Sequence, residues 1–255
     1  MPDDRGWRDD QLMENFEQYS GEKKPVKVAT YNIHQGIGRD GLENVEKTAE
    51  LIRNIDARVV GIQELGAFHG QSADLATYQI DRIVETTKMS VVTGPTIHHP
   101  HSTYGNCLLS KDPVTAVRRF NIGQKALEPR GLLDVDLTIN GRLMRVMVTH
   151  LGLKAWERRL QVKKILNHLD EGPNIPTIIM GDFNEWFPWS RVIRWMNNRC
   201  GISSAPATFP AQFPILALDR LWAIPLCPLK NVRVYNNKIS RLVSDHLPLV
   251  AEIEI

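Results

Sequence analysis

The sequence predicts an α/β fold of two packed, mixed β-sheets with helices on their outer faces, and three observations predict it. Apolar, β-branched runs of about four to eight residues recur along the chain, separated by Gly, Pro and Asn-Gly signals. Some neighbouring runs are joined by hairpin signals and others by amphipathic helical stretches, a mixture that gives sheets with both parallel and antiparallel pairs. Roughly a dozen strand candidates against about four helices are more than one ordinary sheet accommodates, so two sheets are expected.

In order, residues 26–33 alternate apolar and polar side chains as a strand that brings Asn32 and His34 to one face. Residues 42–55 carry Leu42, Val45, Ala49, Leu51, Ile52 and Ile55 near helical spacing, and residues 57–64 read as a buried strand that delivers Glu64 at its far end. A second helix is expected over 72–88, a strand at 90–93, and a Pro/His loop through His101. Strands follow at 106–110, 114–122, 132–139 and 143–150, the last two joined by Asn140-Gly141, which suits a type I′ turn. Residues 156–169 form an amphipathic helix, 177–180 a buried strand and 190–198 a short helix; strands at 220–223, 231–234 and 249–255 close the chain.

Length and composition are those of a globular protein with a sizeable core. The formal net charge of +2 is too small to mark a nucleic-acid-binding domain by itself. Cys107, Cys200 and Cys227 are far apart and form no CxxC or His/Cys spacing, which argues against a disulfide framework or a zinc site and for a reducing, cytoplasmic setting. Residues 1–24 read as a polar lead-in without a signal-peptide pattern, no stretch approaches the roughly 18 apolar residues of a membrane span, and residues 25–255 read as one domain.

Four polar clusters stand at the ends of apolar runs: TYNIH at 30–34, GIQE at 61–64, GDFN at 181–184 and SDH at 244–246. Acidic, amide and imidazole groups on rigid strand ends are what a metal-assisted hydrolase needs. Glu64 is the candidate ligand of a hard divalent cation, against the alternative of a surface salt-bridge partner. Asp182 suits aiming a water at phosphorus and Asn184 donating to developing negative charge; the competing reading is an Asp/Asn turn after a strand. His246 suits a general base or phosphate contact with Asp219 fixing its tautomer, unless it is a satisfied structural histidine. His150 offers a further phosphate donor, Asn32 and Asn106 neutral donors or help in positioning the metal, and Arg130 a phosphate clamp; for Asn106 and Arg130 loop hydrogen bonding or a surface ion pair is the alternative. The run His98-His99-Pro100-His101 reads as a solvated loop, because consecutive side chains diverge.

Taken as an ordered series, TYNIH, QE, GNCLLS, THLGL, GDFN, LDRLW and SDHLPL resemble the endonuclease/exonuclease/phosphatase superfamily with its DNase I-like fold, over about residues 27–255. The segment 207–219 is most similar to small bacterial members of the YbhP-like branch. The resemblance implies a four-layer sandwich, a divalent metal (Mg²⁺, with Mn²⁺ as a substitute) and hydrolysis at phosphorus. It implies Glu64 as principal metal ligand with Asn32 and Asp245 beside it, and Asp182, Asn184, His150, His246 and Asp219 in catalysis. Asn106 would line the phosphate site.

The expected substrate is a phosphodiester, with nucleic acid and phospholipid both open and no protein partner evident. Trp186, Phe187 and Trp189 suit stacking on unpaired bases, contact with lipid tails, or structural packing, and the basic segments 158–164 and 191–199 suit phosphates or ordinary helix faces. A catalytically silent phospho-ligand-binding or partner-binding protein on the same scaffold is the rival reading.

Overall fold

The computed structural model describes residues 25–66, 78–99, 102–203, 205–224 and 229–254. In chain order the elements are β1 (Pro25–Asn32), a 3₁₀ turn (His34–Gly36), α1 (Val45–Ile55), β2 (Val59–Gly66), α2 (Tyr78–Thr87), β3 (Ser90–His99), β4 (Ser102–Ser110), β5 (Val114–Asn121), β6 (Gly131–Ile139) and β7 (Arg142–His150). They continue with α3 (Ala155–Glu171), β8 (Thr177–Asp182), α4 (Arg191–Cys200), β9 (Asp219–Ile224), β10 (Lys230–Val234) and β11 (Leu249–Glu254). One sheet has the order β10-β11-β1-β2-β4-β3 and the other β5-β6-β7-β8-β9.

Each sheet contains one β-α-β unit: β1 runs parallel to β2 across α1, and β7 parallel to β8 across α3. The remaining pairs are antiparallel. Val28, Val59, Val146, Val148, Met180 and Leu221 belong to the core between the sheets. A second cluster joins the other face of the first sheet to α1 through residues such as Ile52 and Ile62, and a third joins the second sheet to α3 and α4 through Ile165, Phe183 and Trp222. Helix, sheet, sheet, helix is the four-layer order the resemblance implied. Each fully buried Val, Leu or Ile contributes about 1.5–3 kcal/mol, so all three clusters stabilise the fold and the central one is the rigid base of the strand ends.

Local differences from the expected elements have identifiable causes. Helix α1 starts at Val45 instead of residue 42, because the Asp40 carboxylate accepts from Leu42 N at 3.0 Å and holds the chain in a turn. Strand β3 extends through His98 and His99, which pair in register with Thr103 and Ser102; a register shift between Pro95 and Ile97 absorbs the proline. Of the anticipated His-rich loop, Pro100 and His101 lie outside the described residues, as do residues 72–77 of the expected second helix. The Asn140-Gly141 hairpin forms with φ of 52° and 77°, as a type I′ turn requires.

Cys107 and Cys200 are buried free thiols, while residues 1–24 and Cys227 lie outside the described residues. No helix among the described residues is long and apolar enough to cross a membrane.

Candidate active site

Strand register lines up half of the site. His150 pairs with Asp182 across β7 and β8, and Asp182 with Asp219 across β8 and β9. In-register neighbours share a face. Val148, Met180 and Leu221, two positions away on each strand, are in the inter-sheet core, so the three polar side chains continue that inner face to the edge of the sandwich. The other half comes from the opposite sheet. Asn32 ends β1, and the bend carrying Asp245 and His246 leads into β11, which pairs with β1.

Glu64 reaches the site by a departure from strand alternation. Ile62 and Leu65 both pack on the helical side although they are three residues apart, the β2–β4 register shifts between them, and Glu64 has a φ of 58°. This bulge turns Glu64 into the cleft, where Asn32 Nδ2 donates to Glu64 Oε1 at 2.9 Å and to Asp182 Oδ2 at 3.1 Å. Asn32 Oδ1 in turn accepts from His34 N at 3.0 Å. The Asn32 amide thus ties two carboxylates together through nitrogen and positions Glu64.

The GDFN segment is both a turn and part of the site. Asn184 N donates to Asp182 Oδ1 at 2.8 Å, and Asn184 has a φ of 50°, so the strand ends at Asp182 and the turn, not continued strand direction, brings the Asn184 amide back. Asn184 Nδ2 lies 3.0 Å from His150 Nε2 and donates to Leu151 O at 2.9 Å, while Phe183 is buried against Trp222 on the helical side.

The two imidazoles are held in opposite charge states. Arg130 Nη1 lies 3.0 Å from His150 Nδ1. Nε2 lies 3.5 Å from Asp182 Oδ2 and 3.0 Å from Asn184 Nδ2, so donor groups face both ring nitrogens. Burial works against charge on His150, Asp182 opposes it, Arg130 and His246 add to it, and the pKa falls to about 3. Burial works against charge on His246 too, but Asp219 and then Asp182 outweigh it, and the pKa is pushed up to about 10. His246 Nδ1–H donates to Asp219 Oδ2 at 2.8 Å, which leaves Nε2 facing Asp182 Oδ2 at 3.7 Å.

Glu64, Asp182, Asp245, His150, His246, Asn184 and Arg130 all line one cleft of about 600 Å³. Asn106 does not line it; its Nδ2 donates to Gly131 O at 3.1 Å. Arg130 is buried and divided between His150 and Glu128, whose Oε2 accepts from Nη2 at 3.0 Å. Sequence reasoning gave no role to His34, Tyr104 and Phe209, which also line the cleft. His34 Nδ1 stands 4.0 Å from Asp245 Oδ1, and the Phe209 ring is 4.9 Å from that of His246. TYNIH was a signal for His34; Tyr104 and Phe209 had none, because long-range packing alone brings them there. In the basic segments, Arg158 is buried on Glu185 at 3.3 Å and Arg199 is paired with Asp170 at 2.6 Å, so both serve structure.

The family model described as Endonuclease/Exonuclease/phosphatase family matches residues 29–246. The chain belongs to that family. Members of the endonuclease/exonuclease/phosphatase family are hydrolases acting on phosphoester bonds. The chain is 27% identical to the uncharacterized protein YbhP of Escherichia coli strain K12, over 90% of this chain and 96% of that one. The endonuclease/exonuclease/phosphatase of Beutenbergia cavernae superposes with a TM-score of 0.77 at 20% identity, covering 92% of this chain and 72% of that one. The human Nocturnin catalytic domain with bound sulfate anion superposes at 0.67 and 19% identity, covering 91% and 95%.

Family enzymes typically use divalent metals, and the donor chemistry of the cleft fits one. Among the described residues no three His, Cys, Asp or Glu side chains enclose a single point. Mg²⁺ does not require that, since it takes one or two carboxylates and keeps waters and substrate oxygens. Burial raises the Glu64 pKa, with the Asn32 bond opposing and Asp182 and Asp245 reinforcing. Among the described residues the ion-pair partners of Asp182 and Asp245 are histidines and Glu64 has none. Buried Asp182 with half-buried Glu64 and Asp245, without a lysine or arginine counter-charge among the described residues, makes a carboxylate set suited to a hard cation.

Proposed function

We propose that this protein is a divalent-metal-dependent phosphodiesterase that cleaves by in-line attack of water. The observation that carries the proposal is the convergence on Asp182 Oδ2 of the Asn32 amide nitrogen at 3.1 Å, His150 Nε2 at 3.5 Å and His246 Nε2 at 3.7 Å, a carboxylate oxygen ringed by nitrogens at the base of an open cleft. Glu64 and Asp245 would hold the cation, which when bound supplies positive charge to the phosphate oxygens.

Asp182 accepts a proton from the attacking water and aims its oxygen at phosphorus; Asn184 N, bonded to Oδ1, keeps the carboxylate from rotating away. Bond formation from water oxygen to phosphorus accompanies departure of the ester oxygen. Cationic His246, fixed by Asp219, donates from Nε2 to the negative charge that gathers on the phosphate oxygens, and neutral His150 stands beside it without adding charge. The human Nocturnin catalytic domain, which shares the fold, carries a bound sulfate anion.

Purified protein with Mg²⁺ should hydrolyse a bis-aryl phosphodiester, chelation should abolish turnover, and Asp182→Asn should lower kcat by about 10²–10⁴-fold with the fold intact. Binding of phosphoesters without turnover, across diesters and monoesters and several divalent ions, would make the protein a silent phospho-ligand-binding member of the family instead.

A further inference from the structure

Large apolar side chains stand in solvent on the segments that border the cleft. Leu153, Trp186, Phe187 and Trp189 follow β7 and β8, and Phe213 and Ile215 precede β9; Leu153, Trp189 and Ile215 are 74%, 70% and 77% exposed. Leu153 and Trp186 line the cleft itself, and Phe213 and Ile215 lie in the loop between Phe209, another lining residue, and its bridge partner Leu216. Phe187 and Trp189 contact one another at 5.4 Å, but neither ring is buried, so structural packing does not account for them. A concentrated apolar rim around a catalytic cleft marks an interaction surface.

Charge and shape select the partner. The cleft lining has the carboxylates Glu64, Glu128, Asp182 and Asp245 against one guanidinium, Arg130, and no lysine. Arg130 is already divided between Glu128 and His150. A polyanionic strand lying along the cleft needs cations along its length, which this lining does not supply, and exposed Leu and Ile offer no face on which a base stacks. A lipid interface needs the reverse: aliphatic and aromatic side chains to enter the headgroup boundary, with basic groups beside them. Lys154, next to Leu153, and Arg191, two residues after Trp189, are exposed.

We propose that this rim seats on an anionic lipid surface and that the diester entering the cleft is a phospholipid headgroup phosphate. The substrate half of the proposal rests on the phosphodiesterase reading above; the docking half does not. Double variants Phe187→Ser/Trp189→Ser and Phe213→Ser/Ile215→Ser change exposed groups only and should keep the wild-type melting temperature. Full-length protein is sedimented with vesicles of phosphatidylcholine alone or with an equal part of phosphatidylglycerol, and turnover is followed on those vesicles and on a soluble bis-aryl diester.

The expected result is binding of wild type to the anionic vesicles, a loss of about tenfold or more in each double variant, a matching loss of phospholipid turnover, and soluble-diester turnover within about twofold of wild type. Absence of vesicle binding by wild type, or variants that bind as wild type does, overturns the proposal. So does tight binding of a single-stranded oligothymidylate that both double variants lose. Vesicle binding that the variants lose, with no turnover of either diester, keeps the docking surface and overturns the phosphodiesterase reading. Soluble turnover without vesicle binding overturns the docking alone.

Discussion

Arg130 supports His150 from the side away from Asp182: its Nη1 stands 3.0 Å from Nδ1, while Nε2 faces Asp182 Oδ2 at 3.5 Å. ¹⁵N NMR of the imidazole should show a neutral ring without titration across roughly pH 5–9. Removing the guanidinium in Arg130→Met takes away one cause of the lowered pKa, which should rise from about 3 toward the ordinary value. kcat should fall by about 10–100-fold as the ring loses its fixed orientation. A wild-type His150 that titrates within that range would exclude this arrangement.

Asp219 is the second such support. Because its Oδ2 accepts from His246 Nδ1 and sustains the ring's charge, Asp219→Asn should lower kcat by about two orders of magnitude or more with little change in KM. Single-turnover kinetics would read the chemical step directly, and a normal rate would remove Asp219 from it.

Gly181 is a matter of space and backbone together. Its φ is 149°, and a Cβ there would fall on the Thr149 carbonyl oxygen of the adjoining strand. Gly181→Ala should therefore cost about 4 kcal/mol or more, read by urea unfolding, and should reduce activity through the β7–β8 register that sets His150 beside Asp182.

A buried ion network lies outside the cleft, on the helical side of the second sheet. Asp134 accepts from Arg145 at 2.7 and 2.9 Å, from Arg118 at 2.9 and 3.0 Å, and is 2.7 Å from His168 Nε2. Burial opposes charge on Asp134, but Arg145, Arg118 and His168 outweigh it and hold the carboxyl below the usual range. With the folded pKa lower than the unfolded value of about 3.9, this contribution is complete above about pH 5 and is lost as pH falls toward the folded value. Asp134→Asn should cost about 3–5 kcal/mol at neutral pH and flatten the acid side of the stability profile, because Arg145 is left buried without its counter-charge. Chemical denaturation across the acid range would test both.

The order of the elements was legible because it depends on local periodicity and turn chemistry. Alternation marked β1, the Asn140-Gly141 pair marked its hairpin, and Ser190 marked the start of α4, where its Oγ accepts from Ile193 N at 3.3 Å. Asp182, Glu64 and the SDH segment stood out because polar groups ending apolar strands require an explanation. Local pattern could not show that Asn106 spends its amide on Gly131 O, or that Arg130 faces an imidazole, since both depend on which loop or strand end packs alongside.

By itself the sequence determined the alternation of strands and helices, the family, and the residue types a phosphoester site would draw on, because these reside in short-range pattern and motif order. Only the tertiary structure decided that a bulge turns Glu64 inward, that one imidazole is neutral and the other cationic, and that the loop tryptophans stand in solvent. Each of those outcomes is set by distances between side chains far apart in the chain, where burial and neighbouring charge act over a few ångströms and sequence separation has no bearing.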